Sequence, residues 1–197
     1  MRAILLPLAL LPLAACWPES KPEALKVEGK TMGTTYHVTV VDAPKGVTAE
    51  TLQSAIDGAL ADVLARMNNW DPTSEISIFS ASESTEPVEI SDDLAVLMVE
   101  ANRINALSGG KFDVTLAPLI NLWGFGPKKP GEPIPSDEEI ATALASVGQA
   151  SLLTLDDHML SKALPSVSVN LGAIAKGYGV DKVGDALAAQ GITRYLV

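Results

Sequence analysis

Apolar residues recur every three or four positions in several stretches of the chain, a spacing that places them on one face of an α-helix. Three stretches follow Thr48, Ser91 and Ser136. Such hydroxyl side chains are preferred at helix N-termini, because their oxygen accepts a hydrogen bond from a free backbone N–H. The pattern predicts three capped amphipathic helices and a fourth over residues 173–189. The inward positions predicted for the third helix are Ile140, Ala143, Leu144 and Val147.

Other stretches alternate apolar and polar residues, as half-buried strands do. Residues 35–41 show this alternation, and shorter strands are predicted at residues 151–155, 167–170 and 192–197. The order of helices and strands is mixed and has no regular repeat. The sequence therefore predicts an α+β fold.

Composition narrows the possible functions. The 197 residues are 47% apolar and 19% charged, which is typical of a folded chain rather than a disordered one. Acidic residues outnumber basic ones by 24 to 14, so the net charge of −10 argues against nucleic-acid binding, which requires Lys and Arg to displace counterions. One cysteine allows no intramolecular disulfide, and the two histidines do not form a zinc-protease motif.

A bacterial export signal is predicted at the amino terminus. An apolar run over residues 3–13 is too short to cross a bilayer as a stable helix. The following Ala-Ala-Cys resembles a lipoprotein cleavage box, after which Cys16 would become the lipid-bearing first residue. The alternative is an ordinary signal peptide with an incidental cysteine. We expect a signal peptide, a tether and a domain over residues 1–15, 16–27 and 28–197.

Four short segments carry residues suited to a ligand. Met32 offers a polarizable side chain to an aromatic ring, and a predicted turn presents Trp70 as a stacking plane. Asp113 lies among apolar neighbours, where a carboxylate needs a hydrogen-bonded partner. The start of the last helix, with Asn170 near its cap and Lys176 after it, suits a phosphate. The simpler alternatives are core packing for the methionine and indole, a solvated turn for the carboxylate, and a surface lysine.

Together these segments resemble the FAD:protein FMN transferases, the ApbE-type flavin transferases formerly described as thiamine-biosynthesis lipoproteins. The resemblance covers residues 28–197 and rests on four motifs in the expected order: MGTTY, NNWDPTSEIS, GGKFDVTLAPL with LWGFG, and NLGAIAKGYGVD. It implies an ApbE-like α+β fold related to the T-fold. It also implies a periplasm-facing enzyme of the bacterial cell envelope, held to a membrane by a lipid anchor.

The resemblance further implies an activity that uses Mg²⁺ and FAD. Members of this family cleave the FAD pyrophosphate, place FMN on a threonine hydroxyl of a partner protein and release AMP. Their acceptors are subunits of membrane redox pumps. The positions that match family FAD contacts are Met32, Trp70, Lys111, Phe112, Asp113, Asn170 and Lys176, and the position that matches a backbone metal ligand is Ala173. Asn170 departs from the family pattern, which usually has Asp.

The last strand stops without a turn or a polar tail, so we expect the chain to be truncated. Family members continue further, and the carboxylate and threonine that complete their metal site lie in that continuation. Because Mg²⁺ prefers about six oxygen ligands, the chain as given is expected to be inactive or feebly active. The alternatives are a non-catalytic FAD-binding lipoprotein, an FAD pyrophosphatase, and a structural envelope lipoprotein.

Overall fold

The computed structural model describes residues 24–126 and 134–197. The predicted signal peptide, Cys16 and most of the predicted tether lie outside the described residues. In chain order the elements are β1 (Leu25–Thr31), β2 (Thr34–Val40), α1 (Ala49–Met67), α2 (Glu75–Ala81), β3 (Val88–Glu89), α3 (Asp92–Leu107), α4 (Ala117–Leu122), α5 (Asp137–Leu144), α6 (Gln149–Leu152), β4 (Leu153–Asp156), β5 (Met159–Lys162), α7 (Ala175–Ala189) and β6 (Tyr195–Leu196). None of the described helices is long and apolar enough to cross a membrane.

These strands form two three-stranded antiparallel sheets, in the orders β1-β2-β6 and β3-β5-β4. The predicted strand over residues 35–41 is confirmed as β2. The strand predicted at residues 192–197 is confirmed only over Tyr195–Leu196. β1 was not predicted, and it begins at Leu25, inside the segment that the sequence assigned to the tether.

The predicted helix caps are confirmed. Thr48, Ser91 and Ser136 each accept a hydrogen bond from a backbone N–H three residues later, at 3.2, 3.4 and 3.3 Å. The predicted inward face of α5 is wrong in part: α5 contains no buried residue, and Leu144 is 49% exposed. The last helix begins at Ala175, two residues later than predicted.

Helix α1 joins two hydrophobic cores. Val63 and Met67, at its carboxyl end, pack in a core with residues of α2, α3 and β5. The amino-terminal part of α1 packs against β1, β2 and α7 in a second core. The two cores therefore meet along α1 between Leu60 and Val63, and the chain that leaves the carboxyl end of α1 carries the Asn-Asn-Trp motif.

The strand predicted at residues 167–170 is wrong. Val167 and Val169 are fully buried, as the alternation required, but no strand pairs with them within the described residues. Side chains satisfy the backbone instead. The Lys162 ammonium donates to the carbonyl of Val167 at 3.2 Å, and the Ser80 hydroxyl accepts from the N–H of Val169 at 3.0 Å. The alternation correctly predicted the burial of Val167 and Val169, but the segment pairs with no strand of the described residues.

The strand predicted at residues 151–155 is confirmed only in its second half. Residues 149–152 form the short helix α6, and β4 begins at Leu153. Gly148, the residue before α6, has a φ of 143°, a conformation that favours glycine. This turn places Gln149 in the interior, where it is 1% exposed.

Candidate functional site

Four of the residues singled out in the sequence line one pocket. The pocket has a volume of about 460 Å³ and lies between the β1–β2 turn, the end of α1 and the start of α7. Met32, Trp70, Asn170 and Lys176 all contribute to its wall. Residues from three distant parts of the sequence therefore meet at one surface, and they include an indole, a thioether and an ammonium group.

Trp70 is held by a tight turn that leaves its ring accessible. Its backbone N–H donates to Oδ1 of Asn68 at 3.0 Å, and the side chain is 66% exposed. Asp71 accepts hydrogen bonds from the hydroxyl and backbone N–H of Thr73, at 2.6 and 2.8 Å, and these bonds lower the pKa of the Asp71 carboxyl. The predicted turn is confirmed, and the indole offers a free face to a planar ligand.

Met32 reaches the pocket from the turn between β1 and β2. Its side chain is half-buried and packs against the first core. Gly179 of α7 lies beside the sulfur, and a Cβ at that position would come within 3.3 Å of Sδ. The absence of a side chain at Gly179 therefore lets the thioether lie between α7 and the pocket.

Lys176 and the turn before α7 form the part of the pocket that suits a phosphate. Lys176 is exposed, and among residues 24–126 and 134–197 it has no carboxylate partner. α7 has no side-chain cap, because Ile174 occupies the cap position. Asn170 does not cap the helix as predicted; its Oδ1 accepts from the N–H of Gly172 at 2.9 Å. A free ammonium beside a helix N-terminus suits an anion.

A second pocket lies on the other side of Trp70 and Asn170 and was not predicted. It has a volume of about 410 Å³, and its polar lining includes Ser77, Asn121 and Ser168. Asn69 lines both pockets. The only sequence signal for this cavity was the concentration of polar residues around Trp70.

Neither of the two pockets is lined by the segment Lys111, Phe112 and Asp113, which the resemblance assigned to FAD contacts. Lys111 is exposed, and Phe112 packs against the first core. The Asp113 carboxylate accepts hydrogen bonds from the hydroxyl and the N–H of Thr115 and from the N–H of Gln149 at 2.9 Å. The partner expected for this carboxylate is therefore a set of protein donors.

This segment still contacts the site through its backbone. The carbonyl of Val114 accepts a hydrogen bond from the N–H of Asn170 at 2.7 Å. The N–H of Val114 donates to Oε1 of the buried Gln149 at 3.1 Å. The 111–115 segment thus fixes one side of the Asn170 backbone.

The described residues do not form a complete magnesium site. Ala173 is exposed between two residues that line the first pocket, Gly172 and Ala175. Within the described parts of the chain, no group of three or more His, Cys, Asp or Glu side chains could hold a metal ion. Mg²⁺ usually takes carboxylate ligands in addition to waters. The Ala173 carbonyl is not accompanied by such a set.

Comparison with known proteins agrees with this arrangement. The model of the ApbE family matches residues 32–197. The chain belongs to the ApbE family. It is 42% identical to the FAD:protein FMN transferase of Vibrio cholerae, over all of this chain and 58% of the relative. It is 43% identical to the FAD:protein FMN transferase of Haemophilus influenzae, over 95% of this chain and 55% of the relative.

Solved structures of the ApbE family have the same fold. The flavin transferase ApbE of Vibrio cholerae superposes with a TM-score of 0.85 at 41% identity, over 88% of this chain and 56% of that one. The apo flavinyl transferase ApbE of Pseudomonas stutzeri gives 0.84 at 34% identity, over 91% and 57%. The predicted ApbE-like α+β fold is confirmed. The chain spans somewhat more than half the length of these relatives.

Proposed function

We propose that this protein binds FAD in the pocket lined by Trp70 and Lys176 and serves as an FAD:protein FMN transferase. In the proposed reaction the hydroxyl oxygen of an acceptor threonine forms a bond to the FMN phosphorus of FAD. The bond between that phosphorus and the bridging pyrophosphate oxygen breaks, and AMP leaves with the bridging oxygen. The threonine proton passes to a base or to water.

One observation carries this proposal: an accessible indole and an ammonium group with no carboxylate partner among the described residues share one pocket of about 460 Å³. FAD joins a large planar ring to a diphosphate, and these are the two groups that stacking and a positive charge recognise. The family membership and the names of the relatives agree with this ligand.

The residues that line the pocket have different roles in the proposed binding of FAD. Trp70 and Met32 contact the isoalloxazine ring, since an aromatic face and a sulfur both interact well with a π-system. Lys176 and the first turn of α7 neutralise part of the pyrophosphate charge. Asn170 donates or accepts a hydrogen bond as a neutral amide, and it adds no negative charge beside the phosphates.

The family resemblance also implies Mg²⁺, but the described residues lack the carboxylates that would hold it. We therefore assign no step of the reaction to a metal. For the whole protein we propose an acceptor among the subunits of membrane redox pumps. We also propose a periplasm-facing location through a lipid on Cys16. Mass spectrometry of the protein isolated from bacterial membranes would detect diacylglyceryl and acyl groups on this cysteine, and an unmodified thiol would overturn the anchor.

FAD binding is the first test of the proposed activity. Isothermal titration of the full chain is expected to show binding that Trp70→Ala and Lys176→Ala each weaken by about tenfold. The matched controls Trp123→Ala and Lys45→Ala lie outside both pockets and should bind as the parent does. No binding by the folded parent chain would overturn the proposal.

Transfer is the second test. An acceptor subunit, FAD and Mg²⁺ are incubated with the whole protein, because the chain as given is expected to be inactive or feebly active by itself. The Vibrio cholerae relative serves as the positive control. Equal amounts of AMP and protein-linked flavin support the transferase. AMP with only free FMN would indicate a pyrophosphatase, and bound FAD without AMP would indicate a carrier; either result would replace the proposed reaction.

A further inference from the structure

Asn69 joins two distant segments of the chain with one side chain. Its Nδ2 donates to the carbonyl of Val169 at 2.6 Å, and its Oδ1 accepts from the N–H of Leu171 at 2.9 Å. The two bonds cross about a hundred residues of sequence, from the end of α1 to the segment before α7. A side-chain amide here makes the pair of bonds that a neighbouring strand would make in a sheet.

The two hydrogen bonds of Asn69 link two residues of the candidate site. The next residue along the chain is Trp70, and the residue between the two bonded backbone groups is Asn170. Both line the first pocket and the second pocket. The oxygen and the nitrogen of the planar Asn69 amide each make one of these hydrogen bonds. They therefore hold the turn that carries Trp70 at a fixed distance and angle from the backbone of Asn170.

The other side of the Asn170 backbone is also held. Its N–H donates to the carbonyl of Val114 at 2.7 Å, and the N–H of Val169 donates to the Ser80 hydroxyl. The bonds from Val114 and Ser80 therefore hold one side of this segment, and the two bonds from Asn69 hold the other side. Loss of the Asn69 amide would remove the hydrogen bonds that link the Trp70 turn to the backbone on both sides of Asn170.

We propose that Asn69 is a positioning residue, which sets the spacing between the stacking face of Trp70 and the phosphate-side residues Asn170 and Lys176. This inference rests on the proposed function, since it takes FAD as the ligand that spans the two ends. The residue acts through its neighbours and not by contact with the reacting atoms. Small displacements of positioning groups are costly when a ligand must be gripped at two points.

The test compares FAD affinity with fold stability in the full chain. Asn69→Ala removes both bonds, and Asn69→Asp keeps the acceptor for Leu171 while it places an oxygen against the carbonyl of Val169. Thr48→Ala is the matched control, because it removes a helix cap at the far end of α1 from both pockets. We expect each Asn69 variant to bind FAD about tenfold more weakly. We expect Thr48→Ala to lower the thermal midpoint without a change in affinity.

A double variant separates positioning from a general structural effect. If Asn69 acts by placing the indole, then in a Trp70→Ala background the change Asn69→Ala should cost less than about threefold in FAD affinity. Hydrogen exchange in the peptide that contains Leu171 should become faster in Asn69→Ala and remain unchanged in Thr48→Ala.

Three outcomes are decisive. Tenfold weaker binding that disappears in the Trp70→Ala background supports the inference. Unchanged affinity of both Asn69 variants, with the parent binding FAD, overturns the inference and leaves the proposed function intact. A parent chain that binds no FAD overturns the proposed function and this inference together, provided that it unfolds in a cooperative thermal transition, which shows that it is folded.

Discussion

Met32 and Gly33 form the two-residue turn between β1 and β2, and both have positive φ values, of 50° and 74°. Thr31 pairs with Thr34 across this turn. Positive φ at both central positions is the pattern of a type I′ hairpin turn, in which Asn and Gly are preferred. Methionine is unusual there, and a left-handed conformation costs such a residue about 1–2 kcal/mol. Both residues of this turn also line the first pocket.

The first prediction concerns this turn. Gly33→Ala should lower the free energy of unfolding by about 1 kcal/mol, because alanine adopts positive φ poorly although no atom lies within 4 Å of the new Cβ. Gly58→Ala, in the middle of the exposed face of α1, also meets open space and should raise stability by a similar amount. Chemical denaturation measures both. Equal effects of the same sign would show that the turn is not as strained as described.

The second prediction concerns the buried amine of Lys162. Its Nζ donates to the carbonyls of Ser80, Pro165 and Val167 at 3.0, 3.0 and 3.2 Å. Lys162→Met would leave these acceptors without a donor and should cost about 2–4 kcal/mol in the free energy of unfolding.

The exposed Lys45→Met is the matched control for Lys162 and should change stability by less than about 0.5 kcal/mol. Hydrogen exchange across residues 167–171 should also become faster in Lys162→Met only. A Lys162 variant as stable as the control would mean that water or another group satisfies the three carbonyls.

The third prediction is a pH dependence centred on Asp93. Burial favours the neutral form of this carboxyl, but hydrogen bonds from Tyr178 and Lys182 and the charges of Lys182 and Arg66 outweigh it, so the pKa of Asp93 lies below its ordinary value. A lowered pKa in the folded state contributes stability above the unfolded pKa of about 4, and this contribution is lost as pH falls further.

Asp93→Asn should therefore be less stable than the parent by about 2 kcal/mol at pH 7, with a difference that shrinks below about pH 4. Thermal midpoints measured from pH 3 to pH 7 test this. Asp181→Asn, at an exposed position of α7, is the control and should follow the parent closely. A constant difference for Asp93→Asn across this range would show that the charge of Asp93 does not stabilise the fold.

The fourth prediction concerns the anion that Lys176 recognises. Lys176→Ala should weaken FAD binding by about tenfold and riboflavin binding by less than about twofold, since riboflavin has the ring but no phosphate. The loss for FAD should diminish at high salt, because exposed charges are screened. Equal losses for both ligands would place the lysine at the ring rather than at the pyrophosphate.

Local signals predicted four of the seven helices in the described residues, and α2, α4 and α6 were not predicted. Thr48, Ser91 and Ser136 cap helices because capping depends on a few adjacent residues. The Asp71 turn follows from equally local chemistry, and it presents Trp70 as expected. The family motifs added the one piece of long-range information, which is that Met32, Trp70, Asn170 and Lys176 belong together.

The sequence was least informative where distant side chains replace a sheet. Residues 167–170 alternate like a strand, yet Lys162, Ser80 and Asn69 supply the bonds that a neighbouring strand would supply. No local pattern predicts such a substitution, because the donors come from elsewhere in the chain. The same reason explains why the contribution of Asn69 and the second pocket were not predicted.

Single-tryptophan chains provide the most direct test of the central claim that the Trp70 pocket binds FAD. The sequence has three tryptophans, so Trp17→Phe with Trp123→Phe leaves only Trp70, and Trp17→Phe with Trp70→Phe leaves only Trp123. Both chains are titrated with FAD while the indole emission is followed. We predict that FAD quenches most of the emission of Trp70 and little of the emission of Trp123. Equal quenching of the two, or quenching of Trp123 alone, would contradict it.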